Sequence, residues 1–275
     1  MEVSAKTSPK KRRTPFSISP NPLALFPTPG FESALFRARF CVNNAQGLNT
    51  VLADPGLGKS TLLRALHTEF DADPDMVSVL IGQPSFKSEY AMATALGRAF
   101  GVSIRRSTQA QLIELEQYLA GLFADDKSCI VLIDEAQLLQ ADQLELIRGL
   151  LNFETNEVKL INFVLAGQPE FKTKIDASRA LSSRVIAPSV LTPLTTDEVA
   201  GMIQKRCEFG KIENPFTKSS TERVFSHSGG VPRTALRVAG LAYEMARLGG
   251  ITEIPPDLVD AAALDMASQK DNNEQ

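Results

Sequence analysis

Residues 51–61 limit the folds open to this chain more than any other part of its sequence. They read Val-Leu-Ala-Asp-Pro-Gly-Leu-Gly-Lys-Ser-Thr, follow an apolar run and lead into leucines at helical spacing. Gly56 and Gly58 allow the backbone to curl so that consecutive N–H groups face a phosphate. The N-terminus of the following helix adds the positive end of its dipole. The pattern predicts a phosphate-binding loop, or P-loop, formed by Asp54, Pro55, Gly56, Leu57, Gly58, Lys59, Ser60 and Thr61.

Two side chains of this loop carry chemistry beyond the backbone. A lysine in the position of Lys59 reaches the β- and γ-phosphates of a nucleoside triphosphate, and the hydroxyl of Ser60 can ligate Mg²⁺. We therefore expect ATP and Mg²⁺ as ligands. The loop pattern usually begins with glycine where this chain has Ala53, a small and therefore mild replacement. The alternative is a chance glycine-rich turn.

Short apolar runs with helical patterns between them indicate an α/β fold. Four runs are typical of strands buried on both faces, and strands that alternate with helices form a parallel sheet with helices on both sides. A fifth run is a weaker strand because Pro188 interrupts it. The predicted strands are 50–53, 77–81, 129–133, 161–166 and the weaker 185–191.

The strand pattern stops after Pro193, and helix signals continue. Pro232 fits the first turn of one helix. Capping-box spacing, in which Ser or Thr precedes Glu or Gln by three residues, occurs at Thr108 with Gln111, Thr195 with Glu198 and Ser219 with Glu222. We therefore predict an α/β domain over 16–193 and a small all-helical lid domain over 194–268, with a disordered basic tail at 1–15 and a second tail at 269–275.

Polar side chains follow two of the predicted strands. Asp134 and Glu135 come directly after the run 129–133, and Gln168 follows the run 161–166. Ligands of open parallel sheets bind at the carboxyl ends of the strands, so we expect these residues to lie beside Lys59. Asp134 would hold Mg²⁺ with Ser60, Glu135 would act as general base on the attacking water, and Gln168 would contact the γ-phosphate or that water. The alternatives are a solvated helix cap and a polar turn.

Three arginines are candidates for stabilising charge in the transition state. Arg184 precedes the fifth predicted strand, too far from the nucleotide of its own chain but suited to reach that of a neighbour. An arginine supplied in this way accelerates phosphoryl transfer by about 10³–10⁵-fold. Arg179 is the rival for this role. Arg233, just after Pro232, would link the helical domain to the γ-phosphate, and a surface ion pair is the alternative for each.

Composition limits the ligands and the cellular location that we expect for this protein. The net charge is −3, so any contact with nucleic acid would need a local basic surface. Three cysteines without close spacing suggest neither a disulfide framework nor a zinc site. The longest apolar runs are far shorter than the ~20 residues that span a bilayer. We therefore expect no membrane span and a cytoplasmic location.

These motifs in this order resemble an AAA+ ATPase. The similarity covers about residues 14–266 and is greatest to the ExeA/GspA family and its transposition relatives of the TnsC/TniB type. It also includes Pro15-Phe16-Ser17, Pro20-Asn21-Pro22, Asp134-Glu135-Ala136-Gln137, Leu151-Asn152-Phe153-Glu154-Thr155 and Ala166-Gly167-Gln168-Pro169-Glu170. The resemblance implies a Walker A motif at 53–60, Walker B at Asp134 and Glu135, sensor 1 at Gln168, an arginine finger at Arg184, sensor 2 at Arg233, and a homo-oligomeric ring or filament.

Two functions are compatible with this sequence. The first is a Mg²⁺-dependent ATPase that couples hydrolysis to a rearrangement of its oligomer or of its two domains. The second is an ATP-gated regulator of the TnsC/TniB type that binds DNA or recruits a transposase or recombinase. A small-molecule kinase on a P-loop core is a weaker third interpretation, because the Asp-Glu pair and the helical domain suit hydrolysis better.

Overall fold

A computed structural model of the protein describes residues 14–156 and 158–271, without the side chains of 269–271. The chain forms two compact units. The larger comprises residues 20–22 and 27–193, and the smaller comprises 14–19, 23–26 and 194–271. The predicted tail at 1–15 lies outside the described residues except for its last two, and 272–275 of the second predicted tail also lie outside.

The larger unit is built on a five-stranded sheet whose paired strands all run parallel. Its strands are β1 (Leu48–Leu52), β2 (Met76–Ile81), β3 (Ser128–Ile133), β4 (Asn162–Gly167) and β5 (Ser189–Val190). Their order across the sheet is β2-β3-β4-β1-β5. Every residue of β1 and β4 is buried, which explains why apolar residues in these strands do not alternate with exposed polar ones.

Helices cover this sheet. They are α1 (Pro29–Asn43), α2 (Lys59–Asp71), α3 (Glu89–Ala99), α4 (Thr108–Ala124), α5 (Ala141–Leu150), α6 (Glu170–Asp176) and α7 (Arg179–Ser182), with a 3-10 turn at Ala136–Leu138. Leucines at helical spacing place Leu62, Leu63 and Leu66 of α2 in the interior, where each is fully buried. Helix α1 packs on β1 and α4 packs on β3. The predicted α/β fold with a parallel sheet is confirmed.

Strand register determines where the ends of the central strands lie. Leu52 of β1 is paired with Gly167 of β4, and Ile133 of β3 is paired with Leu165 of the same strand. The carboxyl ends of three neighbouring strands therefore meet at one edge of the sheet. This edge is where ligands of open parallel sheets bind.

The smaller unit is helical and has its own apolar core. Its helices are α8 (Thr196–Gly210), α9 (Lys218–Ser228), α10 (Pro232–Leu248) and α11 (Pro256–Asp271). Ile203, Val224 and Ala239 are fully buried in this core, and Phe16 from the N-terminal segment packs into it. Phe26 lies against Gly201 so closely that a Cβ at that glycine would be 2.3 Å from its ring. Residues 16–19 and 23–26 thus pack with the helical unit, whereas the predicted boundary placed them in the α/β domain.

One of the three predicted capping boxes is present and two are not. The capping box of Thr195 with Glu198 is present, with both reciprocal hydrogen bonds. The box at Thr108 was wrong: Ser107 caps α4, and Gln111 instead accepts a hydrogen bond from the Arg105 N–H. The box at Ser219 was also wrong, because Thr217 caps α9.

The fifth strand and the last helix also differ in extent from their predictions. The fifth strand is only two residues long, because Pro188 lacks an N–H for the ladder and Ala187 has a positive φ of 50°. Helix α11 continues to Asp271, beyond the predicted end of the lid domain at 268.

Candidate active site

The P-loop has the backbone conformation that its glycines allow. Strand β1 ends at Leu52 and α2 begins at Lys59, as a loop between strand and helix requires. Gly56 and Gly58 have φ angles of 88° and 103°, in the region that favours glycine. Gly58 is the N-cap of α2, and among the described residues no side chain caps this helix. The first N–H groups of α2 therefore face the loop, where an anion can accept from them.

Lys59 holds its ammonium group inside this loop. Its side chain is buried, and Nζ donates hydrogen bonds to the carbonyl oxygens of Ala53 at 2.6 Å and Asp54 at 3.1 Å. A buried ammonium is costly unless it is hydrogen-bonded, so these carbonyls fix its position. The loop thus presents one positive charge together with backbone donors.

Asp134 lies next to Lys59 and is bonded to Ser60. It follows the end of β3 and is 7% exposed. The Ser60 hydroxyl donates a hydrogen bond to its carboxylate, and the Glu135 N–H donates to Oδ1 at 2.9 Å. Burial raises the pKa of Asp134 above its ordinary value, while these two hydrogen bonds and the charge of Lys59 oppose that rise.

The Ser60–Asp134 pair fits a magnesium ion. A desolvated carboxylate and a hydroxyl are the hard oxygen ligands that Mg²⁺ takes beside a triphosphate. The raised pKa of Asp134 indicates a carboxylate that would gain from a nearby cation. These two residues are the ones that the sequence predicted as metal ligands.

Glu135 stands in a strained backbone conformation beside Asp134. Its φ and ψ are 51° and 39°, in the left-handed region that a non-glycine residue seldom adopts. Such conformations cost about 1–3 kcal/mol and occur where the surrounding structure imposes them. The surrounding contacts come from the turn that follows, which ends in the 3-10 helix Ala136–Leu138.

Gln137 in this turn was not among the predicted site residues. Its Nε2 donates to Glu135 Oε2 at 2.5 Å, and its Oε1 accepts the Gln168 N–H at 3.1 Å. Lys174 Nζ donates to the carbonyl oxygens of Gln137 and Leu139 at 2.5 and 3.0 Å. The only sequence signal was the run Asp134-Glu135-Ala136-Gln137, in which the glutamine follows the acids by two or three positions.

Gln168 lies between the P-loop and the acidic residues. It follows the end of β4, and the carbonyl of the preceding Gly167 accepts the Ala53 N–H at 3.1 Å. The structure therefore brings Lys59, Ser60, Asp134, Glu135 and Gln168 to one edge of the sheet, as the sequence predicted for their positions.

Arg184 lies at the opposite end of β1. The next residue, Val185, forms a bridge with Leu48 at the start of that strand. With a rise of about 3.3 Å per residue, Leu48 and Leu52 are roughly 13 Å apart. Arg184 Nη2 donates to Asn152 Oδ1 at 2.7 Å and Nη1 donates to the carbonyl of Ala180 at 2.5 Å. The rival Arg179 is exposed at the start of α7.

Arg233 belongs to the helical unit. It is the second residue of α10 and is exposed there, directly after the predicted Pro232 in the first turn. The N-terminus of α10 is preceded by Gly229 and Gly230, both with positive φ. The arginine thus projects from a helix start whose direction is determined by a glycine turn.

Comparison with known proteins identifies the class of this site. Residues 42–175 match the model of the AAA domain family. The matched segment contains the P-loop, Asp134, Glu135 and Gln168. Residues 42–175 therefore form an AAA domain, and this match supports P-loop NTPase activity.

Within this class the chain resembles a secretion protein. It is 29% identical over 262 residues to General secretion pathway protein A from Aeromonas hydrophila, which covers 94% of this chain and 47% of that protein. The resemblance to the ExeA/GspA type is confirmed. A second relative, an uncharacterised HTH-type transcriptional regulator from Methanocaldococcus jannaschii, is 28% identical over 158 residues, covering 54% of this chain and 38% of that protein. The chain thus spans less than half of the length of these curated relatives.

Solved structures share the fold. The ORC2 protein of Aeropyrum pernix superposes with a TM-score of 0.71 at 19% identity, covering 92% of this chain and 71% of that one. The ORC1 protein of the same organism, solved in complex with DNA, superposes with a TM-score of 0.70 at 17% identity, covering 92% of this chain and 69% of that one. A RuvB variant from Thermotoga maritima gives 0.59 at 18% identity, covering 84% and 65%. At these identities the likeness establishes the AAA+ fold.

No helix within residues 14–156 and 158–271 combines the length and the apolar character needed to cross a bilayer.

Proposed function

We propose that this protein binds ATP with Mg²⁺ at the P-loop edge and hydrolyses it, with Glu135 as general base. The observation that carries the proposal is the buried carboxylate of Asp134 at the edge of the sheet where Lys59 and Ser60 begin α2. These groups supply the two oxygen ligands and the positive charge that a Mg²⁺-triphosphate requires. Glu135 follows Asp134 directly, so its carboxylate is available to the water rather than to the metal.

Each residue has a defined part in this proposal. The P-loop N–H groups and Lys59 hold the β- and γ-phosphates, and bound Mg²⁺ neutralises charge that develops on them. Glu135 accepts a proton from the water that attacks the γ-phosphorus, and the bond to the β–γ bridging oxygen breaks to leave ADP and phosphate. Gln168 orients that water or contacts the γ-phosphate through its amide.

Arg184 and Arg233 extend the proposal to assembly and movement. The position of Arg184 at the far end of β1 supports a role on the nucleotide of a neighbouring copy, in a homo-oligomeric ring or filament. Arg233 would contact the γ-phosphate from the helical unit, so that hydrolysis changes the position of that unit. Asn152, which accepts from Arg184, would hold the guanidinium ready.

The test is the substitution Glu135→Gln, which keeps the size of the side chain and removes its basicity. ATP turnover should fall by about 10²–10⁴-fold, the usual contribution of a general base. ATP binding should persist, because the P-loop and Asp134 are unchanged. Lys59→Met is the matched variant, in which binding itself is lost. Turnover by Glu135→Gln at the wild-type rate would refute the assignment.

DNA binding is a second candidate, suggested by a solved structure of the same fold. The Aeropyrum pernix ORC1 protein, whose fold this chain shares, was solved in complex with DNA. The net charge of −3 opposes it unless an assembled oligomer gathers basic residues on one surface. An ATP-dependent shift of duplex DNA that weakens steeply with salt would support this candidate, and its absence at low salt would refute it.

A further inference from the structure

Gln137 bonds to two residues of the predicted catalytic set at once. Its amide nitrogen donates to Glu135 Oε2 and its amide oxygen accepts from the Gln168 N–H. An amide has a donor and an acceptor at its two ends, so one Gln137 side chain satisfies both contacts in a single orientation. Glu135 is attached to the end of β3 and Gln168 to the end of β4, so this side chain links two strands.

The backbone of the Gln137 turn is also fixed. Lys174 from α6 donates to the carbonyls of Gln137 and Leu139, on either side of Leu138. Ala136 is fully buried and Leu138 donates its N–H to the Glu135 carbonyl at 2.9 Å. The backbone of Gln137 is therefore held in place, so its amide determines the position of the Glu135 carboxylate rather than the reverse.

We propose that Gln137 is a positioning residue, which holds the Glu135 carboxylate in a place set by the Gln168 turn. This inference rests on the proposed role of Glu135 as general base. Movement of Gln168, when it contacts a γ-phosphate or the attacking water, then shifts the hydrogen bond that holds the base. The state of the phosphate is in this way transmitted to the residue that activates the water, within one chain.

Two variants separate the two ends of the amide. Gln137→Leu removes both hydrogen bonds at similar volume. Gln137→Glu keeps an oxygen that accepts from the Gln168 N–H, but places a second carboxylate beside Glu135. Gln117→Leu, at an exposed glutamine of α4, is the matched control and should leave turnover unchanged.

The expected result is a loss in turnover without a loss in binding. For Gln137→Leu, kcat should fall by roughly 10–100-fold, since misplacing a catalytic group by about 1 Å can cost 10²-fold. Its Kd for a non-hydrolysable ATP analogue should stay within about threefold of wild type. For Gln137→Glu, kcat should also fall, because position 137 then has no donor for the Glu135 carboxylate. A change that merely loosened the fold would weaken binding as well.

A double variant tests whether Gln137 acts through Glu135. Adding Gln137→Leu to Glu135→Gln should lower turnover no further, because the group that Gln137 positions is already disabled. A further loss of the size seen in the single variant would overturn the inference, as would wild-type kcat in Gln137→Leu. Wild-type kcat in Gln137→Glu would do the same, and that variant carries the test if Gln137→Leu does not fold.

The two proposed roles, of Glu135 and of Gln137, predict different results for these variants. If Glu135→Gln hydrolyses ATP normally, the proposed function is wrong. If Glu135→Gln is inactive and Gln137→Leu is as active as the Gln117 control, only the positioning role is wrong.

Discussion

Gly230 lies in close backbone contact with Leu194, which precedes helix α8 of the helical unit. Its φ is +75°, and a Cβ built there would lie 2.1 Å from the carbonyl oxygen of Leu194. Leu194 in turn donates its N–H to the Gly230 carbonyl at 2.8 Å. The contact therefore joins the residue just before α8 to the turn that precedes α10 and Arg233. Gly230→Ala should disrupt it.

The same substitution at the neighbouring Gly229 measures how much of the loss in stability comes from the contact with Leu194. Gly229 also has a positive φ, of +57°, but a Cβ there would meet nothing within 4 Å. Gly229→Ala should therefore cost only the left-handed conformation, about 1–2 kcal/mol. Gly230→Ala adds the loss of one hydrogen bond, about 1 kcal/mol, and overpacking against backbone, about 1–3 kcal/mol. The second substitution should thus be more destabilising by about 2–4 kcal/mol.

Hydrogen exchange measures this difference in the intact protein. Two units need not unfold together, so a single melting temperature would mix them. Amides of α8 and α10 that exchange through opening of the helical unit should exchange about 30- to 700-fold faster in Gly230→Ala than in Gly229→Ala, at 1.4 kcal/mol per tenfold. Amides of β3 and β4 should be unchanged in both. Equal exchange of α10 amides in the two variants would refute the packing argument.

Two further predictions concern the nucleotide edge and the assembly. Because burial raises the pKa of Asp134 above 3.8, the native state binds this proton more tightly than the unfolded chain, and stability falls as pH rises from that value through the raised pKa. Without nucleotide at pH 7, the amides of β3 and β4 should therefore exchange no faster in Asp134→Asn than in wild type. Mg²⁺-ATP should not slow their exchange in this variant, and faster exchange without nucleotide would contradict the reasoning. If Arg184 acts on a neighbouring copy, the variants Glu135→Gln and Arg184→Ala should each be inactive alone. An equal mixture of the two should recover turnover at roughly a quarter of its sites by random assembly. A mixture as inactive as its components would exclude the role of Arg184 on a neighbour.

Much of the P-loop edge could be predicted because its signals are local. A strand, two glycines and a lysine in fixed order determine a loop whose backbone does the binding. Strands β3 and β4 are continuous apolar runs, and the parallel topology that follows from alternating helices brings their carboxyl ends together. The positions of Asp134 and Gln168 beside Lys59 needed no more than this.

Contacts between side chains distant in sequence could not be predicted in the same way. Thr108 and Gln111 have capping-box spacing, but Ser107 is one residue closer to the true helix start and Gln111 is used by the loop at Arg105. Phe16 and Phe26 are far in sequence from the helices α8–α11, yet they pack with the apolar core of the helical unit. The link from Glu135 through Gln137 to Gln168 depends on two strand ends, so no spacing rule could show it.

The sheet separates the two halves of the proposed chemistry, and this bears on how hydrolysis is controlled. Lys59, Asp134 and Glu135 lie at the carboxyl end of β1 and its neighbours, whereas Val185, next to Arg184, bridges the first residue of β1. At the amino end, burial and then the nearby charge of Arg184 lower the pKa of Lys159, so two cations lie close together there. Glu154 is already ion-paired with Lys159, so a further anion from outside the unit would act on Arg184.

A phosphate offered by a second copy of the chain is such an anion. Asn49 anchors the segment that carries Arg184, since its Nδ2 donates to the carbonyls of Ile186 and Ala187 at 3.0 and 2.7 Å. The arginine is therefore attached to β1 through a buried side chain and cannot swing to the P-loop of its own unit without breaking those bonds. A chain with both halves at one edge would hydrolyse ATP as a monomer. If Arg184 acts on a neighbouring copy as proposed, turnover should instead rise with protein concentration, because a second chain then completes each site.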